Sequence, residues 1–190
     1  MKYYDLYDDV YIPGRWHLRM PLFDEAEGEG VLFDTWRFKQ GRVLDIERPI
    51  HLKVKPPGLA LDYSLAMNVP VVHRRVVTLF ERMGLAHEVQ FIPVHVEGQE
   101  EPRFILNVLK LIRCIDEARC EAVLHWLPED NRPDIVGEYR NVVGLKVDPK
   151  QVGGAHIFRP WGWEVVLIVS EHVKQALEAE HITGIKFLQV

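Results

Sequence analysis

The segment from His156 to Val190, HIFRPWGWEVVLIVSEHVKQALEAEHITGIKFLQV, constrains the fold more than any other part of the chain. It opens with a strand-like aromatic run, Phe158-Arg159-Pro160-Trp161-Gly162-Trp163. Val165 to Val169 is an unbroken aliphatic stretch, the pattern of a strand covered on both faces. Ser170 then offers a hydroxyl to cap a helix, and Glu171 sits where the helix dipole is positive. Val173, Ala176 and Leu177 recur at helical spacing, making a short apolar stripe on a charged helix expected to end near His181. Thr183-Gly184 interrupts it, and Ile185, Lys186 and Phe187 alternate as a last strand. The segment predicts a strand–helix–strand unit with an interior first strand.

A second copy of the pattern lies upstream. Val72, Val76, Leu79, Phe80 and Met83 form a helical stripe, Gly84 stops it, and Val89 to Val96 is strand-like. Val72, Val76, Phe80 and Leu85 lay over Val169, Val173, Leu177 and Ile182, and one inserted residue brings Phe91 and Val94 onto Phe187 and Val190. A duplication and a chance likeness between two amphipathic helices explain this equally well. Neither unit carries a glycine-rich phosphate cradle; the helices follow Ser and His.

Elsewhere turn signals are frequent. Pro13-Gly14 marks a turn, Trp16 to Met20 reads as a short alternating strand, and residues 24–30 are an acidic loop. Val31 to Phe38 and Arg42 to Val54 read as strands of one sheet region, and Pro56-Pro57-Gly58 is the strongest break. The run from Phe104 to Ile115 suits helix or strand, and its strand-like neighbours favour strand. Trp126 to Pro133 is a loop, and Val142 to Val147 a strand ending in the Asp148-Pro149 turn. The expected class is α+β weighted toward β: one domain over 1–190, with a β-rich segment (1–55) leading into an α+β region (56–190).

Composition narrows the functions. At 47% hydrophobic and 27% charged, the chain is an ordinary globular protein with a sizeable core. The N-terminus, MKYYDLYDDV, has no signal-peptide pattern, and no apolar run approaches the roughly 18 residues of a membrane span, so a cytoplasmic location without membrane contact is expected. Cys114 and Cys120 then read as reduced, partly buried thiols. The net charge of −5 argues against a broad nucleic-acid-binding surface.

Candidate chemistry is thin. His95 and Glu97, or His125 with Glu129 or Asp130, could ligate a metal, but no recurring His-x-Glu or HExxH supports them over solvated strand positions. Cys114 or Cys120 with His125 and Asp116 could form a thiol relay, yet no glycine-framed nucleophile turn is present and Cys114 lies in an apolar run. Arg74, Arg75 and Arg82 with Lys53 and Lys55 could form a basic patch, which Glu81 and Glu88 dilute. Asp116 and Asp148 read as turn-capping residues. No catalytic residue, metal or cofactor is expected.

The stretches FILNVLKLIRCID (104–116) and LKVDPKQVGGAHIFRPWGWEVVLIVSEHVKQALEAEHITGIKFLQV (145–190) resemble an immunity-protein family of bacterial polymorphic toxin systems, number eleven in the usual naming. The shared landmarks fall on Asp116, Asp148-Pro149, Phe158-Arg159, Ser170, and Gly184 with Phe187. The likeness covers roughly residues 60 to 190; the first 55 residues show no landmark. It implies a non-catalytic protein that binds and neutralises a cognate toxin, many such toxins being nucleases. Two acidic stretches with an aromatic anchor could meet a basic toxin cleft: Trp16 with Asp24, Glu25, Glu27 and Glu29, and Trp126 with Glu129, Asp130 and Asp134. Against this, both tryptophans could pack inward while the loops merely aid solubility. A small His/Cys/carboxylate enzyme and an acidic regulatory binding module are the competing functions.

Overall fold

The computed structural model describes residues 1–23, 31–32 and 34–190. In chain order its strands are β1 (Tyr3–Asp8), β2 (Leu22–Phe23), β3 (Val31–Leu32), β4 (Ile50–Leu52), β5 (Tyr63–Ala66), β6 (Val69–His73), β7 (Val89–Val96) and β8 (Arg103–Val108). They continue with β9 (Leu111–Ile112), β10 (Ala122–His125), β11 (Tyr139–Val143), β12 (Ile157–Pro160), β13 (Ile168–Ser170) and β14 (Ile185–Gln189). The helices are α1 (Arg74–Arg82), α2 (Pro149–Val152) and α3 (Glu171–Ala179), with 3-10 turns at Thr35–Lys39 and Pro128–Asp130. The larger sheet runs β3-β2-β4-β7-β8-β6-β5, the smaller β14-β1-β13-β12-β9, and β10 and β11 pair only with each other. The result is the strand-dominated α+β fold expected.

The two strand–helix–strand units match in detail. Both helices are nine residues long, one capped by His73 accepting from the Arg75 amide and the other by Ser170 accepting from Val173. Both close with the same left-handed turn. Gly84 (φ 71°) donates to the Glu81 carbonyl and Leu85 to Phe80, just as His181 (φ 52°) donates to Glu178 and Ile182 to Leu177. Val72, Val76, Phe80 and Leu85 meet Val169, Val173, Leu177 and Ile182 in one buried cluster between the sheets. The strand orders β5-β6-β8-β7 and β12-β13-β1-β14 correspond as well, all neighbours antiparallel. In the second copy the place of β8 is taken by β1, from the opposite end of the chain. Helix length, closing turn and sheet order thus agree between the two units, while the capping residue and the amide it accepts from differ.

Several expectations needed correction, each for a local reason. The interior strand β13 starts at Ile168, and Val165 is 54% exposed. The buried Arg159 guanidinium donates to the Glu164 and Val166 carbonyls (2.8 and 3.1 Å), which holds those residues in a turn. Val31 to Phe38 is not one strand, because Asp34 caps a 3-10 turn by accepting from the Trp36 amide. Between Arg42 and Val54 only β4 forms a strand, with Val54 a single bridge partner of Leu18; Leu44 bonds through its backbone to the Gln90 side-chain amide instead (2.9 and 2.8 Å). Residues 16–20 are extended with alternating burial but form only isolated bridges. The run from Phe104 breaks at Leu109-Lys110, so β8 and β9 lie in different sheets and the chain staples them together. β11 begins at Tyr139 and stops at Val143, and Val147 is a lone bridge partner of Ile115. Asp148 caps α2, with Pro149 as its first residue. Strands on both sides of Pro56-Pro57-Gly58 share the larger sheet.

The interior strand β1 of the smaller sheet carries an unusual group. Burial pushes the Asp5 carboxyl up to about 6, only partly offset by the Leu167 amide that donates to it and by the nearby Arg159 charge. A raised carboxyl favours the folded state while protonated, so this contribution is full below the unfolded value near 3.8 and lost as pH rises through about 6. Asp5→Asn keeps an acceptor for Leu167 and removes the ionisation. Its stability advantage over wild type should therefore grow by about 2 kcal/mol between pH 4 and pH 7.5, allowing for partial exposure. Urea midpoints at the two pH values measure this; a pH-independent difference would refute it.

Candidate interaction face

Residues 116–143 project from the body as an arm. Its base is fixed where Ile115 bridges Val147, the Asp116 amide donates to the Lys146 carbonyl, and the Asp148 amide donates to the Cys114 carbonyl. A lone two-stranded hairpin is marginal in water, so its inner face must find the body. It does so through Tyr139, whose amide donates to the Gly162 carbonyl (3.2 Å). Glycine suits position 162 twice over: φ is 77°, and a Cβ there would press on the Tyr139 ring. Tyr139 also stacks on His125 (centroids 4.8 Å apart) and donates through its hydroxyl to Glu117 (2.8 Å). Burial, then this carboxylate, pushes the phenol up to about 12. Val123, Val142, His125 and Tyr139 are half-buried, while Leu124 and Val143 of the other face are 56% and 41% exposed.

The tip is built on Trp126. The Arg132 and Arg140 guanidinium groups lie over its indole at 5.9 and 5.1 Å, and each is held by a carboxylate. Arg140 bonds to Asp130 (2.9 Å), and Arg132 makes a two-pronged bond to Asp134 (3.0 and 2.8 Å). Asp130 also accepts from the Leu127 amide, closing the 3-10 turn. Glu129 is exposed.

Two clefts of about 390 and 410 Å³ flank the arm where it meets the body, and Trp161 lines both. The first is walled by Arg113, Asp116, Glu117, Tyr139 and Asp148; the second by Trp36, Lys39, Asp134, Glu138 and Glu164. The Arg113 guanidinium lies 3.2 Å over the Trp161 indole, and the Lys39 ammonium 4.9 Å over Trp36. Each cleft thus sets three carboxylates against one lining cation, with one indole in the first and two in the second. Burial, with the Glu164 and Asp134 charges, raises the Glu138 carboxyl above its ordinary range.

Of the two proposed acidic faces, one is corrected. Trp16 is 1% exposed, its indole N–H donating to the Ser64 hydroxyl (2.7 Å) and its ring lying under Arg103, so it packs the core of the larger sheet and cannot anchor a partner. Asp24, Glu25, Glu27 and Glu29 lie outside the described residues. Trp126, Glu129, Asp130 and Asp134 do come together, on the arm. Trp36, Trp161, Glu117, Glu138 and Glu164, which line the clefts beside the arm, were not singled out from the sequence. They come from separate stretches of chain, so no local pattern groups them.

The other candidates separate. The Cys114 thiol is pushed up to about 12 by burial and by the Asp148 charge, and the Cys120 sulfur accepts from the Lys146 amide. His125 pairs with Glu117 rather than with a thiol, and Asp116 pairs with Arg119. His95 stacks on His51, Glu97 accepts from the Val54 amide, and no metal-sized group of three ligands occurs among the described residues. Arg75 and Arg82 bind Asp62 and Glu180, and Arg74 lies over Phe104, so the basic helix face is internally compensated. Among the described residues no helix is long and apolar enough to cross a membrane.

The landmark residues are structural. Phe158 packs edge-on against Tyr3, Arg159 organises the turn before β13, Ser170 caps α3, Asp148 caps α2, and Thr183-Gly184 joins the two sheets at Asp62 and Tyr63. No curated protein matches this chain. The family model described as "Immunity protein family (Imm11)" matches residues 7–190, well beyond the region where the resemblance was legible, and the chain belongs to that family.

Proposed function

We propose that this immunity-family member acts in the bacterial cytoplasm, where it binds a cognate toxin of a polymorphic system and neutralises it by occupancy, without catalysis. The supporting observation is the division between scaffold and surface. Most residues that carry the family likeness serve packing and capping, and only Asp116 and Asp148 among them also line the first cleft, while the rest of the arm and its two clefts leave an exposed face free to be particular to one partner. A nuclease suits this face among toxin activities, because a protein that grips phosphates carries a basic cleft. Co-expression with the product of the neighbouring gene tests the reading. Restored growth together with a co-purifying complex is the expected result. Undiminished toxicity with soluble chain present would overturn the function, and detoxification without a complex would overturn the mechanism.

A further inference from the structure

Charge on this protein is not evenly spread. Residues 116–143 hold seven acidic and three basic side chains, a net −4 out of −5 for the whole chain. Those charges frame apolar surface: Leu124, Leu127, Val136 and Val143 are all exposed. Desolvatable apolar area ringed by charge is the usual anatomy of a protein interface.

The indoles carry a second, independent signal. Three guanidinium groups of this region, those of Arg113, Arg132 and Arg140, already lie over Trp161 or Trp126, and two of the three are held there by a carboxylate. The combination is the recognition chemistry of arginine: a planar cation stacks on an aromatic face while its N–H fork engages a carboxylate. Lysine, a compact and strongly hydrated charge, gains less from both. Each cleft repeats these elements on a scale that admits one such side chain, and the crowding of Glu138 by Glu164 and Asp134 would be relieved by an arriving cation.

We propose that the arm and the two clefts sharing Trp161 form a docking surface for a basic protein face that inserts arginine side chains beside Trp161. This deepens the toxin-neutralising reading and rests on it for the identity of the partner. The exposed apolar strip of the arm supplies the desolvated contact, and the carboxylates steer association and select the partner.

Two measurements test it, and they fail separately. In the first, the neighbouring gene's product is titrated with wild type, Glu138→Lys, Leu124→Lys, Trp36→Ala and the control Glu100→Lys, which makes the same charge change on a distant loop. Each of the three face variants should weaken binding roughly tenfold or more, and Glu100→Lys by less than about twofold. Equal effects at all four sites, or none at the face, would overturn the surface. Failure of the wild type itself to bind would count against the toxin reading, not against the chemistry of the face. The second measurement needs no toxin: nona-arginine and nona-lysine are titrated into the isotope-labelled full chain. Nona-arginine should shift the Trp161 indole and the amides around Glu138 and Leu124, and bind more tightly than nona-lysine. Shifts confined to residues 24–29, no shifts, or equal affinity for the two peptides would refute the proposal.

Discussion

Gly184→Ala should be the most damaging single-methyl change in this protein, lowering stability by more than about 3 kcal/mol. Gly184 has a φ of 90°, a conformation that only glycine adopts without strain, and a Cβ there would overlap the Tyr63 carbonyl oxygen. The neighbourhood cannot yield. The Tyr63 amide donates to the Thr183 carbonyl, the Thr183 amide and hydroxyl both donate to Asp62, and the Asp9 amide donates to the Gly184 carbonyl. Thr183-Gly184 is therefore where the smaller sheet, through β14, meets the first strand of the β5–β6 hairpin. Urea denaturation of the soluble fraction measures the effect, and a midpoint within error of wild type would show that the junction can relax. Gly137→Ala is the natural control, since its φ is 86° but nothing lies within 4 Å of the added methyl. It isolates the backbone cost, about 1 kcal/mol.

Glu88→Ala should cost about 2–4 kcal/mol by a different route. Glu88 is buried between α1 and β7, and one of its carboxylate oxygens accepts from the His156 and Ile157 amides at 2.8 and 2.9 Å. Removing it strands two buried donors at the start of β12 and cuts a polar link between the two halves of the molecule. Glu88→Gln retains an acceptor oxygen and should lose less than half as much. Hydrogen exchange gives the local readout: the 156 and 157 amides should lose protection in Glu88→Ala before the rest of β12 does. Unchanged protection at both would mean that water replaces the carboxylate.

Both predictions concern joints between distant segments, and neither joint is visible in a local pattern. The capped helix after Ser170, the stop at Gly84 and the strand from Val89 to Val96 were all legible, because capping chemistry and side-chain period act within a few residues. The run from Val165 was over-read as strand because nothing nearby indicates that Arg159 will claim the carbonyls of Glu164 and Val166. Of the two acidic aromatic groupings read from the sequence, the residues of one come together in the structure. Trp126 with Asp130 and Asp134 lies within one loop, whereas Trp16 has the same look in sequence and is buried under Arg103.

Sequence by itself determined the strand-weighted α+β class, the two longer helices with the Ser170 cap of the second, and the family likeness through the second half of the chain. Only the tertiary structure decided that β1 enters the smaller sheet between β14 and β13, the place that β8 holds between β7 and β6 in the larger one. It also decided that the arm closes over Trp161 to make two acidic clefts. The physical reason is range. Helix period, capping and turn chemistry are set by neighbours along the chain, whereas strand partners and cleft walls are chosen by which buried surfaces and backbone donors remain to be satisfied once those local pieces exist.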